Sequence, residues 1–212
     1  MDLRPMKVSG ALLVAVLFAS AESAPARTQT ARTSPAAVTP ALIEWSKDRP
    51  LARSDFKGAV PPAGGLAALS AVAITAAWQC ESDRFSATIL AVFDPAHSWW
   101  GGPALSRFQM WNAVSANDRD RQLLQHEQTH FDVAETVARK IRSHFAALTG
   151  VCTRPTGMVP LRAVVEDFQR DLDNEQGRYD RETQFGTDAG AQMRWTYNTL
   201  KSLESLRQSN GR

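Results

Sequence analysis

Cysteine and histidine are scarce in this chain, two and four among 212 residues. No apolar run approaches the ~20 residues that span a bilayer. Charge of one sign is missing too: 24 lysines and arginines stand against 22 acidic residues. With neither a basic stripe nor a stacking platform, the chain gives no sign of nucleic-acid binding. Cys80 and Cys152 form no C-x-x-C pair, which argues against cysteine-ligated zinc. An even count permits a disulfide in an exported protein, and two buried thiols fit equally well.

Export is the expectation from the N-terminus. Arg4 and Lys7 precede a short apolar run, Val8 to Ala19, and Ala19-Ser20-Ala21 is a small-residue cleavage site. Residues 1–21 therefore read as a signal peptide. Residues 22–40, rich in Ala, Thr, Ser and Pro, read as a flexible linker. Residues 41–208 remain as a single domain, long enough to bury a core. A periplasmic or secreted protein follows, with no stable membrane span once the signal is removed.

Within the domain, Leu42 to Trp45 is a short strand candidate, and Pro61-Pro62 and Gly64-Gly65 mark a loop. Val72, Ile74, Ala76 and Trp78 alternate, as do Ala87, Ile89, Ala91 and Phe93. With Glu81-Ser82-Asp83-Arg84 between them, an antiparallel hairpin is expected, covered by helices on at least one face. From about Asn117 to Leu148 the period becomes helical, with Asn117 as a cap and Gly150 as a stop. Residues 160–178 form a second helix, and Ala189 to Arg207 a third. The third carries Met193, Tyr197, Leu200 and Leu203 on one side, a stripe expected to face the core.

The first helix holds His126-Glu127-Gln128-Thr129-His130, an H-e-x-x-h pattern in capital form: H-E-x-x-H. Histidines four apart project from one helical face, a turn apart, where two imidazoles can hold a zinc ion. The glutamate between them serves such sites as general base. Leu123, His126, Glu127, His130, Ala134, Val137 and Ile141 share one side, so the motif lies on the core-facing stripe. A metal offsets the cost of burying three ionisable groups there; hydrogen-bonded core histidines are the alternative. Asp132 and Glu135 point away from this face, as supporting polar contacts or solvated charges. His144 is too far along the helix to share an ion, and His97 reads as a loop or surface histidine.

Catalytic zinc usually takes three protein ligands. The longer H-E-x-x-H-x-x-G-x-x-H pattern fails, because Val133 and Thr136 stand at its last glycine and histidine. A carboxylate from the second helix is the next source. Glu175 falls within the apolar stripe of Leu161, Val164, Val165, Phe168, Leu172 and Tyr179, and is the first candidate; Asp180 is the second. Tyr179 is a candidate for steadying an oxyanion.

Further residues carry a resemblance. Trp45-Ser46, Arg49-Pro50-Leu51, Asp55-Phe56-Lys57-Gly58 and Ser98-Trp99 precede Leu123-Leu124, His126-Glu127-Gln128, His130-Phe131-Asp132 and Ala134-Glu135. Tyr179-Asp180, Glu182-Thr183, Gly186, Gln192 and Trp195 follow. Together they make the chain resemble a bacterial family of predicted secreted zinc-dependent proteases, domain of unknown function 922. In that family a histidine tends to precede the glycine matched by Gly186, whereas this chain has Phe185. The combined expectation is an α+β, zincin-like domain: a small antiparallel sheet packed on a long metal-binding helix and two further helices. It would bind Zn2+ through His126, His130 and Glu175, with Glu127 as the base, and hydrolyse a peptide or protein substrate in the cell envelope. The alternative is a catalytically inactive, zincin-like envelope binding protein.

Overall fold

The computed structural model describes residues 41–62, 66–81, 84–101, 115–152 and 159–210. The expected signal peptide, linker, Gly64-Gly65 loop and Ser82-Asp83 turn positions lie outside the described residues. The architecture is α+β, with a small antiparallel sheet and three helices. Strands β3 (Val72–Glu81) and β4 (Arg84–Phe93) form a hairpin in register from Val72↔Phe93 to Glu81↔Arg84. The short β1 (Ile43–Glu44) pairs on the other side of β4, giving the order β1-β4-β3. Alternation along β4 buries Ile89, Ala91 and Phe93 in the core. A separate ribbon joins β2 (Ala68–Leu69) to β5 (Trp99–Trp100). Its strands are two residues each, too short to show any period in the sequence.

Helix α1 (Ala116–Ala146) is the centre of the fold. Every residue from Phe131 to Ala138 is buried, which marks a helix covered all round. The sheet takes one side, where Phe145 meets Trp78 and Phe85 and where Phe131 meets Phe93. Helices α2 (Val159–Glu182) and α3 (Ala189–Asn210) take the others. The helix starts at Ser115 rather than Asn117: the Ser115 hydroxyl accepts the Asp118 N–H at 3.1 Å from an extended backbone.

Asp132 and Glu135 are buried, not solvated. The Asp132 carboxylate accepts from the Trp45 indole and from the Gln128 amide, each at 2.8 Å. Burial raises its pKa, and those two hydrogen bonds partly oppose the rise. Glu135 binds Arg139 at 2.7 Å and Arg142 at 2.5 Å. These guanidinium groups also donate to the Leu203 and Ile89 carbonyls, tying α1 to α3 and to β4. The buried charges are thus paired and hydrogen-bonded, as burial requires.

Cys80 and Cys152 form a disulfide across 72 residues. It joins the tip of the hairpin to the segment just beyond α1. Helix α2 runs through Gly177 to Glu182, past the expected end near residue 178. The expected core stripe on α3 faces outward for three of its four members: Met193, Tyr197 and Leu200 are 70, 64 and 51 % exposed, and only Leu203 is buried. The buried face is instead Ala191, Gln192, Thr199 and Leu203. The rotation of α3 follows the polar contacts that Gln192 makes with α1, not the positions of its largest apolar residues.

Candidate metal centre

Each donor in the site is aimed by the helix that carries it. His126 and His130 lie one turn apart on α1, with ring centroids 4.8 Å apart. The antiparallel approach of α2 brings Asp180 against both. Its Oδ1 is 3.3 Å from His126 Nε2 and 3.0 Å from His130 Nε2, and the two Nε2 atoms are 3.3 Å apart. Three donors therefore form a nearly equilateral triangle. Tetrahedral ligands at about 2.0–2.1 Å from zinc stand about 3.3 Å from one another. The triangle has those edges, and two imidazoles with a carboxylate form a donor set that zinc accepts. The group is buried at His126 and reaches solvent on the Asp180 side, whose side chain is 29 % exposed.

The far nitrogens are also held. His126 Nδ1 meets Gln192 Oε1 at 3.0 Å, and His130 Nδ1 meets Gln176 Oε1. An amide oxygen can only accept, so both Nδ1 atoms carry hydrogen, and it is Nε2 of each ring that faces the triangle's centre and can hold either a proton or an ion. Gln176 and Gln192 are themselves anchored. Gln176 donates to the His130 carbonyl at 2.9 Å, and Gln192 to Thr196 Oγ1 at 3.2 Å. Tyr179, fully buried, stacks on the His126 ring with centroids 4.7 Å apart and donates to Gln192 Oε1 at 2.8 Å. Burial raises the pKa of its phenol. It lies behind the imidazoles as a support, a place that does not suit the oxyanion role considered from sequence.

Electrostatics couple the three donors. Burial pushes the His130 imidazolium down, but the Asp180 charge and hydrogen bond, with help from Glu127 and Gln176, raise its pKa to about 9. Burial alone would raise the Asp180 pKa; the two histidines instead hold it well below the usual carboxylate range. The carboxylate thus favours a positive charge between it and the imidazoles, carried by a proton or by a metal. Glu127 is buried beside the group and its charge acts on both His130 and Tyr179. Its carboxylate takes no hydrogen bond from the described residues.

Glu175 does not join the triangle. It lies at the edge of the α2 stripe and pairs with Arg178 at 2.6 Å. The helix turns about 100° per residue, so five residues separate it from Asp180 by roughly 140°. His97 binds Asp94 at 2.6 Å on the surface, and His144 lies against Phe145 and Phe168, both away from the triangle. Phe185 offers no donor and is 42 % exposed.

The turn between α2 and α3 packs on the site. Gln184, Phe185 and Gly186 all have positive φ, at 49°, 55° and 79°. For the first two this conformation is strained. The turn is held by Phe185 N–H to the Asp180 carbonyl at 2.7 Å, Asp188 N–H to the Thr183 carbonyl at 2.8 Å, and Gly186 N–H to Thr183 Oγ1 at 3.2 Å. A Cβ on Gly186 would come within 3.0 Å of His126 Cγ and Nδ1, so the backbone itself forms a wall of the imidazole's slot. Gln192 and Gly186 belonged to the resembling residues without an assigned role; Gln176 had no signal in the sequence.

The family model described as "Bacterial protein of unknown function (DUF922)" matches residues 99–186. The matched stretch contains all three triangle donors and Glu127, and ends at the glycine that touches His126. No curated protein and no solved structure matches the chain.

Proposed function

We propose that this chain is a secreted zinc-dependent peptidase. The observation that carries the reading is the triangle of His126 Nε2, His130 Nε2 and Asp180 Oδ1, with edges of 3.0–3.3 Å beside a buried Glu127. His126, His130 and Asp180 would hold a zinc ion, which would supply Lewis-acid chemistry for a peptide carbonyl and for water whose pKa such ions bring toward 7. Gln192 and Gln176 hold both Nδ1 atoms, which would leave Nε2 of each ring to bind that ion. The Glu127 carboxylate takes the proton of the attacking water and passes it to the nitrogen of the leaving amine. Asp180, as the third donor, makes the absence of a histidine at position 185 tolerable. The disulfide suits an oxidising compartment and agrees with the signal-like N-terminus.

The test is metal analysis of the purified protein together with peptide cleavage. The reading expects near-stoichiometric zinc and cleavage that a chelator stops and zinc restores. A protein that folds normally with no zinc, or a Glu127→Gln variant that cleaves as fast as the parent, would sink it. The first result would favour a non-catalytic envelope binding protein on the same scaffold.

A further inference from the structure

Thr129 lies between the two histidines of the centre and is fully buried. Its hydroxyl donates to the Gln125 carbonyl, one turn back, at 2.9 Å. A hydroxyl has one proton, so Thr129 Oγ1 turns only lone pairs toward α3. Two groups of α3 meet it there: the Gln192 amide nitrogen at 3.4 Å and Thr196 Oγ1 at 3.2 Å. The same amide nitrogen donates to Thr196 Oγ1 at 3.2 Å. An acceptor at this end makes the amide present N–H here and its oxygen to His126 Nδ1 at the other.

Among the described residues, no other neighbour of Gln192 fixes that direction. The Tyr179 and Thr196 hydroxyls can donate or accept, and so can an imidazole nitrogen. With the amide reversed, the Tyr179 phenol would accept from it and still donate to the His126 carbonyl, 3.2 Å away. Only at Thr129 would two oxygens be left lone pair to lone pair. A reversed amide would donate to His126 Nδ1 and move the neutral ring's proton to Nε2, the atom that faces Asp180 and His130. His130 needs no such relay, since Gln176 donates directly to the His130 carbonyl at 2.9 Å.

We propose that Thr129 is a positioning residue: its hydroxyl, oriented by the Gln125 carbonyl, sets the direction of the Gln192 amide and through it keeps the His126 proton on Nδ1, leaving Nε2 for an ion. A backbone carbonyl of α1 thus dictates each ring's tautomer, through one amide at His130 and through a hydroxyl and an amide at His126. The placement of the proton stands on the hydrogen bonds alone; its consequence for metal affinity rests on the zinc reading above.

The experiment is 15N-edited NMR of the metal-free full chain, with zinc affinity measured in parallel by chelator competition. In the parent, His126 and His130 should each show a slowly exchanging Nδ1–H proton. Thr129→Val, which keeps the branched shape and removes the hydroxyl, should lose the His126 signal and keep that of His130. Thr129→Ser should keep both. Zinc affinity should fall about tenfold in the valine variant, the low end of what outer hydrogen-bond partners of a ligating imidazole contribute, and return in the serine variant. Thr136→Val removes the same kind of bond from α1, a hydroxyl donating to the Asp132 carbonyl at 3.1 Å, and should change neither readout. If the valine variant folds poorly, Thr129→Ala carries the same expectation. An unchanged His126 signal without the Thr129 hydroxyl, its loss in Thr129→Ser, or an equal loss in Thr136→Val would overturn the proposal. Loss of the His126 signal in Thr129→Val, from a parent that binds no zinc, would uphold the proton's placement and remove the zinc reading instead.

Discussion

Glu127 and Asp180 are both carboxylates beside His130, yet their surroundings differ, and the proposed function gives them different work. Asp180 contacts both imidazoles and cannot be replaced without opening the donor triangle. Glu127 is buried next to them and, among the described residues, makes no such contact, which is what the proposed base requires. Glu127→Gln should therefore keep zinc at parental content and lower turnover by about 10²–10⁴-fold, as read by metal analysis and peptide cleavage on the same sample. Asp180→Ala should instead lose zinc. Gln176→Ala and Gln192→Ala should weaken zinc binding by roughly 10–100-fold, measured by competition with a chromophoric chelator. Affinity equal to the parent in both glutamine variants would mean the Nδ1 contacts do not orient the rings. His126, Glu127 and His130 were legible because their spacing is a property of one helix. The third donor was not: Glu175 and Asp180 both lie on α2, and choosing between them requires the rotation of α2 against α1. That rotation is set by Gln176 and Tyr179 reaching α1, contacts that no single-helix pattern contains.

The elements differ in how plainly their own residues announce them. The β3–β4 hairpin and the body of α1 were readable from period alone, since one face of each is apolar and buried. The α2 end was missed because Gly177 costs about 1 kcal/mol in a helix interior without forcing a stop. The outward face of α3 was misread because small and polar residues, not Met193, Tyr197 and Leu200, meet α1. The α2–α3 turn is the element most exposed to single changes. Gly186→Ala adds a Cβ within 3.0 Å of the His126 ring and places a side chain at φ 79°, so it should destabilise by about 1–2 kcal/mol and weaken zinc binding as well. A thermal melt with and without zinc separates the two effects; a melt unchanged in both conditions would show that the turn relaxes freely. At the opposite end of α1, a Cys80→Ser, Cys152→Ser double variant should lose about 2–4 kcal/mol in urea unfolding, since the bond closes a long loop.

For the whole molecule, the proposed metal site would link ion binding to folding through α1. An ion that binds the folded chain alone stabilises it by about 2.7 kcal/mol at a hundred times its dissociation constant. For a domain of this size, chelation should thus lower the melting temperature by roughly 5–10 °C. Identical melts in zinc and chelator would mean that no ion is held by the triangle. The two histidine donors sit just before the midpoint of α1, whereas Cys152 lies beyond its last turn, with the continuously buried stretch Phe131–Ala138 in between. With an ion bound as proposed, the long helix would be fastened twice, by a dative clasp at its middle and a covalent rivet beyond its end. Stripping such an ion would undo the clasp while the rivet keeps the hairpin and helix aligned, so the emptied protein should remain a body that can be recharged. Reduction alone should leave the clasp closed. Only the two insults together would release both fastenings, which makes simultaneous reductant and chelator far more damaging than either by itself.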